Sequence, residues 1–282
     1  MNQSKSYPKV LSVAGSDSSG GAGIQADIKT FSALGVYGAT AITAITAQNT
    51  QGVNSQFALE PQMVYDQIAA VMDDIEPSVV KIGMLSNTAI VEAVAKALYD
   101  YKPSFIVLDP VIVSSTGHRL LSIEAQETIK EKLIPIADLL TPNIPEMKVL
   151  TDSSLSSLEE KKEAAQQLFN LGAKAILLKG GHEEGEMKTD VLFVSQQSTD
   201  NGQQTLSMFT SKTVVTKNTH GTGCTLSSAI AAFIARGLSL ADAISEAKNY
   251  VTEAIRAGAD VNIGNGIGPV NHFFNPQKMI VL

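Results

Sequence analysis

The sequence predicts an α/β protein, one domain in which a mostly parallel central sheet lies between layers of helices. Three observations carry that expectation. Short, β-branched runs alternate with stretches of helical spacing almost from end to end. The runs are continuously apolar rather than alternating, which implies strands covered on both faces, as in parallel sheets. The glycine-rich and chemically loaded segments follow strands, where ligands bind in such folds.

The elements follow in order. Val10 to Ala14 is a buried strand, succeeded by a Gly/Ser loop to Gly23. A helix from Ile24 to Leu34 carries apolar residues at Ile24, Ile28, Phe31 and Leu34. Thr40 to Ala47 is a strand, and Val53 to Leu59 a short extended arm. Helical spacing returns at Val64, Ile68, Val71 and Ile75, before a strand at Val79 to Ile82. Ile90, Val94 and Leu98 mark a helix, Phe105 to Leu108 a strand, and Ile123 to Leu133 a helix. Strands at Ala137 to Leu140 and Ala175 to Leu178 flank a helix near Leu158 to Leu171. Val191 to Val194 and Leu206 to Phe209 form a hairpin with a polar link. Two helices close the chain, one on Leu226, Ala229, Ile230 and Phe233, the other running from Leu240 to Ile255. No internal repeat or linker divides the 282 residues, and only residues 1–8 are expected to be flexible.

Composition narrows the function. A net charge of −7 and a pI near 5.1 argue against a general nucleic-acid binder, and no tryptophan is present to stack on bases. The polar start, Met1 to Lys9, has no signal-peptide core, and no apolar run has the length of a membrane span. A single cysteine excludes an internal disulfide and points to a reducing cytoplasm. His118, His182, His220 and His272 share no ligand-like spacing, so no zinc site is expected.

The richest segment is His220-Gly-Thr-Gly-Cys224, opening into an apolar helix. Gly221 and Gly223 allow backbone amides to converge around Thr222, and the helix adds its free N-terminal donors, so the turn suits a phosphate. Cys224 at that helix start should have a lowered pKa, useful in a nucleophile or proton acceptor. The plainer alternative is a tight turn with a small buried cysteine.

Other loops supply further candidates. Gly15-Ser-Asp-Ser-Ser-Gly-Gly-Ala22-Gly23 contains a G-x-G-x-x-A match, but residues 39–50 hold no acid to bind a ribose, and no lysine follows as in a Walker A loop. Close approach to a small ligand remains, with Asp27 either bonding that ligand or acting as a solvated charge at its helix start. Gln48, beside Asn49, offers a donor and an acceptor suited to a nitrogen heterocycle. Met84 and Val111 could form an apolar wall, although Met84 suits a core as well. Asp109 could hold Mg²⁺ directly or through water. Asn143 and Glu146 read as a capping box, yet prolines 142 and 145 present them rigidly enough for a metal–phosphate site. Lys179, after an apolar strand and before Gly180-Gly181-His182, could place an ammonium over a phosphate.

Taken together, these stretches resemble the ribokinase-like small-molecule kinases, and within them the hydroxymethylpyrimidine/phosphomethylpyrimidine kinases. The resemblance rests on the blocks Ala14–Asp27, Lys29–Gly35, Ala47–Thr50, Lys81–Leu85, Thr141–Asn143, Lys179–His182, Lys217–Ser227 and Gly266–Val270, nearly the whole chain. It implies a three-layer sandwich, a homodimer, and phosphoryl transfer from ATP to 4-amino-5-hydroxymethyl-2-methylpyrimidine and then to its monophosphate. By it, Gln48 reads the pyrimidine, with Asp27, Gly15, Ala22, Met84 and Val111 around it. Asn143, Lys179, Thr222 and the Gly221–Gly223 turn match the nucleotide side, with Asp109 and Glu146 as Mg²⁺ organisers. The wider group ends its turn in aspartate, a base; Cys224 stands there in this chain, as in the pyrimidine kinases. A pyridoxal kinase is the nearest rival within the fold, and a noncatalytic ligand sensor the rival outside catalysis.

Overall fold

A computed structural model describes residues 5–112, 120–181, 185–195 and 204–282. The chain runs β1 (Lys9–Asp17), α1 (Gly23–Ala33), β2 (Tyr37–Asn49), β3 (Gly52–Ala58), α2 (Pro61–Asp74), β4 (Val79–Ile82) and α3 (Thr88–Tyr101). It continues through β5 (Phe105–Leu108), α4 (Ile123–Lys132), β6 (Leu139–Leu140), α5 (Ile144–Thr151), α6 (Leu158–Asn170) and β7 (Ala175–Leu178). The last elements are β8 (Met187–Ser195), β9 (Gln204–Lys212), α7 (Thr222–Ala235) and α8 (Leu240–Gly258).

The strands form one sheet in the order β3-β2-β1-β4-β5-β6-β7-β8-β9. The expectation of a mostly parallel sheet needs correcting, because the sheet is mixed. From β2 to β7 all neighbours are parallel. Beyond them β3 pairs antiparallel with β2, and β8 and β9 add two more antiparallel pairings. The reason is connection length. β2 and β3 are joined by a two-residue turn, which cannot carry the chain back for a parallel pairing. The short arm foreseen at residues 53–59 is thus an edge strand, and the residues 191–194 and 206–209 do pair as a hairpin.

Both faces of the parallel centre are covered. In β4, Val80 and Ile82 point into an apolar layer shared with Ile68 of α2 and Ile90 of α3, while Val79 points the other way, towards Phe31 of α1 and Ile230 of α7. This is why the strands read as unbroken apolar runs. Two inner positions on the α1/α7 side break the pattern: Ser12 and Lys81, register partners in β1 and β4. Serine or asparagine side chains cap α3, α4, α5, α6 and α8, each contributing about 1 kcal/mol.

β1 outlasts its expected end at Ala14 because Gly15 sits at a bulge between Ala14 and Ser16. A side chain there would crowd Met84 Sδ, 3.1 Å from an added Cβ. Continuing the strand brings Ser16 and Asp17 to the C-terminal edge of the sheet, where the loops gather. No helix among the described residues is long and apolar enough to cross a membrane.

Candidate functional site

The C-terminal strand ends and the start of α7 enclose a cavity of about 590 Å³. It brings together Gly15, Ala22, Gln48, Met84, Val111 and Asp109. It also takes in Asn143, Glu146, Lys179, the Gly221–Gly223 turn and Cys224. All the site residues read from the sequence line it except Asp27. Beyond Lys179 the cavity continues between β8, β9 and α8, past Asp190, Lys248, Val251 and Ile255.

Asp27 departs from both readings of it. Its carboxylate is fully buried beneath the cavity, with Lys81 Nζ 3.0 Å from each oxygen. Ser12 and Ser228 hydroxyls donate to it at 2.6 Å. It is neither solvated nor directed at the cavity; it is the counter-ion of Lys81, which does reach the cavity wall. Lys81 carried a legible signal, as the single charge in an apolar strand, but nothing in sequence pairs it with a carboxylate 54 positions earlier.

Two glycine motifs interlock at the centre. Gly221 has φ +80°, and a Cβ there would stand 1.8 Å from the Gly21 carbonyl oxygen. Only glycine allows that approach. Behind the contact, Asp17 gathers the first loop: its carboxylate accepts from Ser19 N, Ala22 N and His220 Nε2, each at 2.8 Å, and from Ser19 Oγ at 2.7 Å. Burial alone would raise its pKa, but these bonds, that from His220 foremost, hold it down at about 2. Gln48 lies across this hub, its Nε2 3.3 Å from His220 Nε2 and its Oε1 3.2 Å from Thr46 Oγ1. Asp17 and His220 stood inside recognised motifs without a role; only the fold reveals their contact across 203 positions.

Cys224 stands in the first turn of α7, whose N-cap is Gly221. The expectation of a lowered pKa fails. Burial pushes the thiol up to about 11, and the Asp27 and Asp109 carboxylates add to it, outweighing Lys81 and the Gly23 N–H. A helix terminus supplies only partial charges, and the burial of the thiol, with two carboxylates nearby, exceeds them.

The opposite wall is ionic. Lys179 Nζ lies 2.7 Å from Asp109 Oδ1 and 3.8 Å from Glu146 Oε2. Burial opposes its charge, yet the two carboxylates hold the ammonium above its ordinary range. Asp109 stays below the usual carboxylate range despite burial, through Lys179 and Lys81. Glu146 is pushed up to about 7 by burial, and Asp109 adds to this against the pull of Lys179. The capping box is present, with Asn143 N donating to Glu146 Oε2 at 2.7 Å and Glu146 N to Asn143 Oδ1 at 2.8 Å.

Two carboxylates thus share one ammonium, and burial together with the neighbouring Asp109 keeps Glu146 well above the usual carboxylate range. Among the described residues no three His, Cys, Asp or Glu side chains converge. The chemistry of the Asp109–Glu146 oxygen donors fits Mg²⁺, which keeps its waters and uses one or two carboxylates beside substrate phosphates. His118 and His182 lie outside the described residues.

The remaining wall is apolar: Met84 and Leu120 pack together with Ala44, and Val111 leans on them. Leu120 was not foreseen, because nothing local distinguishes it from a core leucine.

A family model described as phosphomethylpyrimidine kinase matches residues 17–271. A hydroxymethylpyrimidine/phosphomethylpyrimidine kinase of Escherichia coli (strain K12) is 46% identical over 264 residues, 93% of this chain and 96% of that protein. Among solved structures, a phosphomethylpyrimidine kinase from Clostridium difficile 630 is 42% identical with a TM-score of 0.75, covering 88% of this chain and 99% of that one. An ADP complex of Bacillus subtilis pyridoxal kinase is 34% identical with a TM-score of 0.84, covering 95% of this chain and 98% of that one.

Proposed function

This chain belongs to the phosphomethylpyrimidine kinase family, and we propose how its cavity performs that family's reaction. It is a kinase for hydroxymethylpyrimidine and its monophosphate, acting in thiamine biosynthesis. One observation carries the assignment of roles: a heterocycle partner, a thiol and a lysine–carboxylate cluster, far apart in sequence, share one cavity.

Gln48 pairs with the aminopyrimidine edge, and Met84, Val111 and Leu120 cover the ring face. Gly15 and Ala22 shape the floor, where side chains of any size would displace the ring. The amides of the Gly221–Gly223 turn, with Thr222 between them, receive the transferring phosphoryl group. Lys179 neutralises charge that spreads over its equatorial oxygens. The ATP remainder follows the arm of the cavity between β9 and α8, where Val251 and Ile255 suit a flat base. Asn143, fixed as the α5 N-cap, faces that route. A bound Mg²⁺ would hold the phosphate oxygens and neutralise charge; Asp109 and Glu146 would organise it.

Cys224 separates the two transfers. The first acceptor is an alcohol, which must lose a proton. The second is a phosphate oxygen, already ionised near neutral pH because its second pKa is about 6. Cys224 takes the alcohol proton as thiolate, and with a pKa of about 11 that form is a minority which grows with pH. The first transfer should therefore quicken with rising pH where the second does not. Cys224→Ala should slow the first by about 100-fold and the second by less than about fivefold. Equal losses in single-turnover assays of both steps would refute the division of labour.

The pyridoxal kinase reading draws on the higher TM-score of that neighbour, although its identity is lower. Comparing kcat/KM on pyridoxal and hydroxymethylpyrimidine decides it; we expect the pyrimidine to win by at least about tenfold. A single domain, working as a homodimer in the cytoplasm, completes the reading, and sedimentation velocity tests the dimer.

A further inference from the structure

Hydrogen-bond valence around Gln48 determines more than its position. The Asp17 carboxylate only accepts, so the His220 Nε2 that lies 2.8 Å from it carries the hydrogen. Gln48 Nε2, 3.3 Å away, then sets one N–H donor against another. The other end of the amide is mismatched too. Thr46 has one hydroxyl hydrogen, which goes to the Ser16 carbonyl at 2.9 Å, so towards Gln48, at 3.2 Å, its oxygen needs a donor. Nitrogen and oxygen of a side-chain amide have the same shape, and their partners decide which is which. A half-turn of the amide relieves both contacts: Oε1 takes a longer share of the single His220 Nε2–H, a three-centre bond with Asp17 as its main acceptor, and Nε2 donates to Thr46 Oγ1.

We infer that His220, held by Asp17, fixes which way round Gln48 presents its amide, and thereby selects a 4-aminopyrimidine over its 4-oxo counterpart. The inference rests on the reading of Gln48 as the heterocycle partner. The amide then shows an acceptor on the His220 side and a donor on the Thr46 side. A 4-aminopyrimidine has an amino donor beside a ring-nitrogen acceptor, so its amino group lies towards His220. The 5-hydroxymethyl group adjoins that amino group on the side away from the ring nitrogen. It is therefore directed towards His220 and the Gly221–Gly223 turn that follows it. A 4-oxo ring has the opposite pattern and needs the amide reversed, with Nε2–H against the His220 Nε2–H. His220 is thus a positioning residue, acting through Gln48.

The test measures kcat/KM for 5-hydroxymethyl-2-methylpyrimidines bearing 4-amino or 4-oxo groups, in the wild type and in His220→Leu. Wild type should favour the amino compound on the order of 100-fold, because the oxo compound leaves polar groups mispaired. In His220→Leu the ratio should fall about tenfold, Thr46 retaining part of the bias, and His220→Gln, which can still donate, should restore much of it. A ratio unchanged within about twofold would overturn the inference. Should the variants fail to fold, a long-range ¹H–¹⁵N spectrum of the free wild type decides: Nε2 of His220 must be protonated, and a bare Nε2 overturns the inference. If the wild type phosphorylates neither pyrimidine, the kinase assignment fails, whereas the nitrogen measurement still judges the Asp17–His220–Gln48 lock.

Discussion

Lys81 and Lys179 are both buried lysines beside the same cavity, and their surroundings differ in one respect. Lys81 meets both oxygens of a single carboxylate, Asp27, whose other bonds come from Ser12 and Ser228. That group is closed: it ties β1, β4, α1 and α7 together with every charge matched. Lys179 faces two carboxylates at unequal distances, 2.7 and 3.8 Å, and the farther one, Glu146, is pushed up to about 7, so negative charge is left over only once Glu146 ionises. That group is open. Matched buried charge holds layers in place, whereas unmatched charge at a cavity wall is a place for a ligand.

The contrast can be broken experimentally, most forcefully at its closed end. Asp27→Ala leaves Lys81 buried without a partner and should destabilise the fold by about 3–5 kcal/mol in urea unfolding. If stability holds and only kcat falls, Lys81 belongs to the chemistry instead. Lys179→Met should do the reverse, lowering kcat by about 10³-fold while the unfolding midpoint moves less than in the Asp27 variant. The smallest expected effect sharpens the open cluster. Glu146 is raised from its ordinary 4.5 to about 7, so the native state keeps a proton that the unfolded chain has lost. Stability should therefore fall as pH rises through that window, by on the order of 3 kcal/mol, and Glu146→Gln should remove this slope. Unfolding curves from pH 4.5 to 7.5 with EDTA present would show it; parallel slopes in both proteins would mean that Glu146 is ionised throughout.

The same contrast explains what the sequence could reveal. The open cluster was legible because Asp109 and Lys179 each follow a strand, where loops meet, and Asn143 announces its cap three residues ahead of Glu146 in the first turn of α5. The unbroken apolar runs of β1, β4, β5 and β7 likewise placed the sheet. The closed pair was not legible. The apolar spacing of α1 pointed to a face on Ile24, Ile28, Phe31 and Leu34, whereas the structure buries Asp27 and leaves Ile28 exposed, because the helix packs over Lys81 of β4. Cys224 shows the limit from the other direction. Its helix start was correctly located, but its proton affinity depends first on its burial and then on charged groups contributed by β4, α1 and the end of β5. The antiparallel edges were half-visible: the hairpin and the arm had signals, whereas their sheet order requires the whole topology.

The contact between Gly21 and Gly221 has a bearing on how this pocket could be redesigned. With 1.8 Å between the Gly21 oxygen and any Cβ at 221, and His220 Cδ2 2.4 Å from any Cβ at 21, the two loops admit no variation one at a time. A library randomising either position would return mostly dead clones, and shuffling one loop from a distant homologue would fail unless the other came with it. The evolvable part of the pocket is its hydrocarbon side, where Met84, Val111 and Leu120 can exchange volume at a cost usually below about 1.5 kcal/mol. New ring substituents would be accommodated there, while the glycine hub stays as an inherited unit.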